Sequence, residues 1–284
     1  MTTNRPCSKI QLWVAVLGVS CLLLQSASAG LLFSDGFNYT AGGGLSGNNS
    51  WTGGNTTTLA IGSGNLTYDS LTDLGGNDLQ LTAGTSGTDV TPFTGTAVTA
   101  GTVYFSFILD ATTLPTGNNE LMDLLPSGAT GLQGSTAPLA IYVGSQTTGQ
   151  YKVGIRHGLS GATYATGAGF TTGAQNFFVV GYTFNTGVGD DVVSLWANPA
   201  TGNTSPGTPD VSFNNSALAD AATLQVIGIK SQGTTAQGNW LLDDFRVGDT
   251  WASVTPQTVV PEPSTFALMG LGLGLMAAVI RRRS

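Results

Sequence analysis

Between residues 100 and 250, apolar positions recur at every second residue in seven short runs. The runs are Thr102–Asp110 (TVYFSFILD), Pro138–Gly144, Tyr151–His157, Asn176–Asn185, Asp191–Asn198, Thr223–Lys230 and Asn239–Gly248, with clusters of Gly, Asn, Asp, Thr and Pro between them. A period of two puts successive side chains on opposite faces, the signature of a half-buried strand. Phe178, Val180, Tyr182 and Phe184 share one face of their run, and Val192, Ser194 and Trp196 share one face of the next. The intervening TGVGD reads as a hairpin loop. Outside the two termini no stretch sustains a helical period, and no internal repeat is present. The expected fold is all-β, a two-sheet antiparallel sandwich.

The termini follow a different pattern. Arg5 and Lys9 precede an apolar run from Ile10 to Leu24 and the small-residue triplet Ala27-Ser28-Ala29. That order is a secretory signal helix, cleaved after Ala29. At the other end, Pro261-Glu262-Pro263 precedes an apolar stretch, Phe266–Ile280, and then Arg281, Arg282 and Arg283. A helix needs about 20 residues to cross the hydrocarbon core, so this short apolar helix spans only with help from Ser264 and Thr265. The arginines stay on the cytoplasmic side. The two prolines keep Glu262 in extended, accessible chain.

The triplet, short apolar run and arginine cluster together resemble the PEP-CTERM sorting signal of Gram-negative bacteria. The resemblance implies recognition by a membrane-embedded exosortase, processing near the triplet and transient association with the inner membrane. Release to the outer surface or the exopolysaccharide matrix would follow. The chain therefore divides into a signal peptide (1–29), a β-sandwich domain (30–255) and a sorting signal with its short transmembrane segment and basic tail (256–284).

Composition narrows the chemistry of the body. Both cysteines, Cys7 and Cys21, fall in the segment to be removed, so neither disulfides nor thiol chemistry are expected and stability must come from a core. Sixteen acidic residues lie between Asp35 and Glu262, against only Lys152, Arg156, Lys230 and Arg246, which leaves a formal charge of −12. Such a surface cannot neutralise phosphates, and nucleic acid is excluded as a partner.

The opening LLFSDGFNY with Trp51 downstream, the Asn176–Pro199 hairpin and the closing VIGIKSQGTTAQGNWLLDDFRVGDTW resemble the concanavalin A-like lectin/glucanase jelly roll in its laminin-G-like form. That likeness implies that the last strand lies beside the first. Glucanases of the superfamily work with paired carboxylates on one strand. Here the only glutamate outside the sorting triplet is Glu120, with Asp123 its nearest acidic companion, and the NNELMDLLP segment reads as a loop edge with solvated acids. His157 is the sole histidine, at a strand end, and reads as a surface residue. No Gly-x-Ser-x-Gly elbow occurs, and one histidine without cysteine leaves no zinc site.

Calcium needs only oxygen ligands, and Asp35 and Asp243 become weak candidates if the first and last strands are neighbours; of Asp243 and Asp244, only one can face inward. For sugar contacts the candidates are aromatic. Trp196 and Trp240 read as core, while Trp51, flanked by Asn and Gly, is open to either the core or a pyranose contact, with Trp251, Tyr142 and Tyr164 also available. The resulting expectation is an exported, non-enzymatic surface or matrix protein with no required cofactor, open to binding exopolysaccharide. The alternative is a glycan-active, glucanase-like enzyme on the same fold, which would need a second acid facing Glu120 or another close Asp pair in a cleft.

Overall fold

The computed structural model describes residues 30–53, 58–147, 149–158, 162–164, 169–214 and 219–258. In chain order the strands are β1 (Leu31–Asp35), β2 (Thr52–Gly53), β3 (Leu59–Ile61), β4 (Leu79–Leu81), β5 (Ser86–Pro92), β6 (Gly101–Ala111), β7 (Asn119–Leu125) and β8 (Leu139–Ser145). They continue with β9 (Gln150–Arg156), β10 (Thr163–Tyr164), β11 (Phe170–Thr171), β12 (Asn176–Phe184), β13 (Val192–Ala197), β14 (Val211–Asn214), β15 (Val226–Gln232) and β16 (Trp240–Gly248). One helical turn, α1 (Trp251–Val254), follows. All seven runs read from the sequence are strands, with ends shifted by up to three residues.

Two eight-stranded antiparallel sheets form a sandwich. The first runs β14-β13-β12-β6-β16-β4-β3, and β1 also pairs with β16. The second runs β10-β9-β8-β7-β15-β5-β2, with β11 sharing the edge of β9. Alternation fills the space between them. Phe105, Phe107, Phe178, Val180, Trp240 and Phe245 from the first sheet meet Met122, Leu124, Ile141, Val153, Ile227 and Ile229 from the second, all at most 1% exposed. In β13 the core takes Val193 and Leu195, so the face shared by Val192, Ser194 and Trp196 is the outer one.

The first and last strands are neighbours, as the jelly-roll likeness implied. β4 pairs with Trp240–Leu242 of β16 and β1 with Phe245–Gly248, so the two short strands take successive halves of one edge. The join is a bulge at Asp243–Asp244, where Asp244 has φ of +55°. A bulge adds a residue, so both acids are buried rather than one of them. Asp243 accepts the Leu66 amide at 2.9 Å and Asp244 the Leu74 amide at 2.9 Å, which hangs residues 66–74 across the outer face of the first sheet. There Leu66, Leu71, Trp251 and Val254 cover Ile108, Phe177, Val179 and Trp196.

The body is closed at its ends by backbone bonds. The Asp249 amide donates to Gly30, and the Thr258 amide donates to Ser70. Pro261, Glu262, Pro263, Arg281, Arg282 and Arg283, the signal helix and the apolar run Phe266–Ile280 lie outside the described residues. Among the described residues no helix is long and apolar enough to cross a membrane.

Candidate functional site

The outer face of the second sheet carries the chemistry, and β7 is at its centre. Between Glu120 and Met122 the β7–β8 register shifts by one residue, and Leu121 and Met122 both enter the core. In regular strand, residues three apart point to opposite faces. The bulge removes that parity and places Glu120 and Asp123 side by side on the outer face. The segment is therefore no loop edge: Glu120 is 6% exposed and Asp123 0%.

The carboxyl pair has a defined hydrogen-bond order. Asp123 Oδ2 accepts the Gln133 and Gly134 amides at 3.1 and 3.3 Å, and Glu120 Oε2 takes the Lys230 ammonium at 3.1 Å. That leaves Asp123 Oδ1 and Glu120 Oε1, both buried and lacking a donor. The two carboxyls lie side by side, and a single proton held between them would satisfy both leftover acceptors. Burial, and then the Glu120 charge, push Asp123 up to about 8.

Around the pair the ladder sets two rows. Gly154, Tyr142, Glu120 and Lys230 lie across β9, β8, β7 and β15, with Thr88 of β5 opposite Lys230. Arg156, Ala140, Asp123, Gly228 and Val90 form the adjacent row. Glycine and alanine at alternate places keep the floor low. At Gly228 a Cβ would come within 2.8 Å of Leu132 Cδ1, so the missing side chain is what lets the 130–134 segment settle over Asp123. Beside that segment an open depression of about 570 Å³ is lined by Thr52, Gly53, Thr88, Thr130, Gly131, Leu132 and Lys230. On its other side Arg156 stacks over Tyr142, its guanidinium carbon 4.7 Å from the ring centre. Burial, followed by the Glu120 charge, pushes the Tyr142 phenol up to about 12.

Several residues singled out in the sequence are placed elsewhere. Trp51 is 0% exposed: its indole N–H donates to Asp35 Oδ2 at 2.8 Å and its ring meets Phe33 and Phe245, so it offers no face to a sugar. Asp35 also accepts from the Phe37 amide, the Tyr39 hydroxyl and Asn49 Nδ2, and it serves as the anchor for the 36–51 segment. Asp35 is cross-strand from Phe245 of the core, whereas Asp243 is cross-strand from Ile108 of the outer cluster. The two acids occupy opposite faces of one sheet and share no calcium site.

Trp196, Trp240 and Trp251 are buried, and the side chain of Tyr164 lies outside the described residues. His157 is 1% exposed rather than on the surface, packed edge-on to Tyr182 at 5.6 Å; burial draws its pKa down.

Asp190, Asp191 and Asp220 also bring carboxylate oxygens within 4.8 Å of one another. Tyr182 and the amides of Asn185, Gly187, Gly189 and Asp191 donate to them, an arrangement that caps the β12–β13 hairpin.

No curated protein sequence matches the chain. Among solved structures the body is similar to endo-acting O-glycanases that members of the human gut microbiota express to initiate mucin breakdown, at 14% identity, over 77% of this chain and 98% of that one, with a TM-score of 0.45. It is similar to the alginate lyase vAL-1 from Chlorella virus at 10% identity, over 71% and 94%, with a TM-score of 0.42. It is also similar to the Trypanosoma rangeli sialidase at 14% identity and a TM-score of 0.39, over 75% of this chain but only 31% of the sialidase. Residues 259–283 match the PEP-CTERM protein-sorting motif, which exosortase recognises; the Pro-Glu-Pro triplet, apolar run and arginines are that signal, and the chain is one exported through membrane processing.

Proposed function

We propose that this chain is an exported, non-enzymatic component of the cell surface or extracellular matrix that holds polysaccharide in the groove on the outer face of the second sheet. The observation that carries this reading is the open, polar depression on that face. Residues 66–74 and α1 roof the first sheet with apolar side chains, and Ala129 and Ala137 cover Leu125, Ala140 and Val226 on the second; beside that cover the second sheet keeps an open depression lined by Thr52, Gly53, Thr88, Thr130, Gly131, Leu132 and Lys230. Hydroxyl and ammonium groups around a shallow depression are suited to bonding sugar hydroxyls.

The carboxyl pair supports holding over cutting. Glycoside hydrolysis places its two carboxyls roughly 5–5.5 Å apart for retention and about 6.5–9.5 Å for inversion. Glu120 and Asp123 are 6% and 0% exposed, and the 133–134 amides close over Asp123, so no sugar fits between them. Their proton favours the second reading, a glycan-active enzyme, because a carboxyl still protonated at neutral pH can act as a general acid. Affinity electrophoresis of the exported protein through gels carrying a panel of polysaccharides tests the first reading. Retardation by at least one polymer, with no reducing ends released on incubation, is the expected result. Migration unchanged in every gel overturns it, and turnover that vanishes in Glu120→Gln and Asp123→Asn transfers the function to the enzyme.

A further inference from the structure

Asp89 alone among the described residues has both carboxyl oxygens buried without a donor. It is 1% exposed in the middle of β5, and its partners in the ladder are Ile229 of β15, a core residue, and Gly53 of β2. Cross-strand partners share a face, so Asp89 points into the margin of the sandwich, while Thr88 and Lys230 point outward to the depression. On the Gly53 side the fit is close: a Cβ there would fall 1.7 Å from Asp89 Oδ1. β2 itself is two exposed residues at the edge of the sheet. It also supplies Thr52 and Gly53 to the wall of the depression. We propose that Asp89 is a pH-sensitive latch on β2: protonated, it lets β2 close against β5 and complete the depression, and ionised, it releases β2 and opens that wall. The proposal rests on the depression being the polysaccharide site and adds its regulation.

Three features support it. A buried carboxylate needs donors or a counter-charge, and Asp89 faces neither. The elements packed on β5 are β2, β3 and β15, and the 44–51 segment joins it where Thr91 Oγ1 donates to the Asn49 carbonyl at 3.2 Å. Their only titratable side chain is Lys230, which lies on the other face and is held by Glu120. The one hydroxyl near enough to favour the charged form belongs to Ser46, and it bonds the Gly53 carbonyl at 3.5 Å instead. Burial outweighs it and raises Asp89 from 3.8 to about 6, with no charged group contributing. Second, β2 is the easiest element to move. It meets β5 over two residues, and Thr52 Oγ1 adds one bond to the Val90 carbonyl at 3.3 Å. So short an edge strand belongs to the least stable end of local opening. Third, Trp51 is pinned by Asp35 at 2.8 Å, directly before β2. Opening therefore swings Thr52 and Gly53 from a fixed point, lets water reach Asp89 and leaves the core closed. Because the closed form holds the raised pKa, its stabilisation is full below the open-state value and is lost as pH rises through about 6. With 3.8 for the open state and about 6 for the closed one, closing weakens about tenfold from pH 5 to pH 7.

The test follows amide hydrogen exchange of the exported protein at pH 5 and pH 7, corrected for intrinsic rates, with the β12 amides as internal reference. The latch expects protection of the paired segments Thr52–Gly53 and Asp89–Val90 to fall about tenfold relative to β12. Retention by gels of dextran, laminarin and galactomannan, which carry no titrating group, should weaken over the same interval. Asp89→Asn, which keeps the shape without the titration, should abolish both changes. Protection that does not vary with pH in the unmodified protein overturns the latch and leaves the groove reading intact. A change that persists in Asp89→Asn overturns the assignment to this residue, and altered protection with constant retention overturns its control of the depression. The expected change in protection with no polymer held at either pH upholds the latch and removes the polysaccharide reading on which its regulatory role rests. If Asp89→Asn melts lower, NMR titration of the Asp89 carboxyl carbon in the unmodified protein decides between the outcomes: a midpoint near 6 is expected, and one at the ordinary carboxylate value overturns the latch.

Discussion

Asp35 shows how a single carboxylate organises a long segment. Four donors converge on it from residues 37 to 51, and the one from Trp51 is fully enclosed. Trp51→Phe keeps an aromatic ring and removes only the indole donor. A hydrogen bond to a charged group contributes about 1.5–3 kcal/mol, so urea unfolding should show a loss of that size, and a loss below about 0.5 kcal/mol would show that the bond contributes little. Asp244 is a sharper case. Its left-handed backbone and its contact with Arg246, at 3.4 Å, both sit at the bulge of β16. Asp244→Ala leaves a buried guanidinium without its counter-charge and is expected to cost about 3–5 kcal/mol in the same measurement.

At the scale of elements, β7 decides what the outer face of the second sheet can do. It lies between β8 and β15, and every one of its seven residues is buried. Its amides should therefore exchange with solvent as slowly as those of β12, through global unfolding, and β7 amides exchanging at loop rates would contradict its central place. The bulge at Leu121 is what pairs Glu120 with Asp123. Asp123→Asn preserves shape and can still donate to Glu120 Oε1, so the variant is expected to fold and to keep the 133–134 segment in place. Binding of polysaccharide should survive it, because Thr52, Thr88, Thr130 and Lys230, which line the depression, are untouched.

For the molecule as a whole, buried acids set the response to pH. Asp123 and Asp243 are both pushed up to about 8 by burial, far above the value near 4 of an unfolded chain. A group whose folded pKa is raised stabilises the fold fully below its unfolded pKa, and that stabilisation is lost as pH rises through the folded value. Thermal stability should therefore fall between pH 6.5 and 8.5, by up to about 1.4 kcal/mol per pH unit for each group that is still protonated. His157, drawn down by burial, acts in the opposite sense only below about 6.5. Asp123→Asn should flatten the slope, and a melting temperature that rises across this window would show that these acids are ionised in the fold. Processing is also a property of the whole chain. Mass spectrometry of the exported protein is expected to find a chain beginning at Gly30 and lacking Phe266–Ser284, and an intact tail would sink cleavage near Pro261-Glu262-Pro263.

The sequence by itself determined the sandwich, because alternation in the seven longest runs is a local property and hydrophobic burial turns it directly into two facing sheets. It also determined the sorting signal, in which the order of triplet, apolar run and arginines is itself what is recognised. What the sequence could not determine was the site. Glu120 and Asp123 are three apart, and only a bulge brings them to one face; a bulge arises from how β7 meets β8, a long-range pairing with no mark in NNELMDLLP. The burial of Trp51 and His157 and the separation of Asp35 from Asp243 were likewise set by which segments fold over which face. The tertiary structure alone decided that Thr52, Thr88, Thr130 and Lys230 line one depression, because segments up to 178 residues apart in sequence, counted from Thr52 to Lys230, meet only through the order of the sheet, in which β5 lies between β2 and β15.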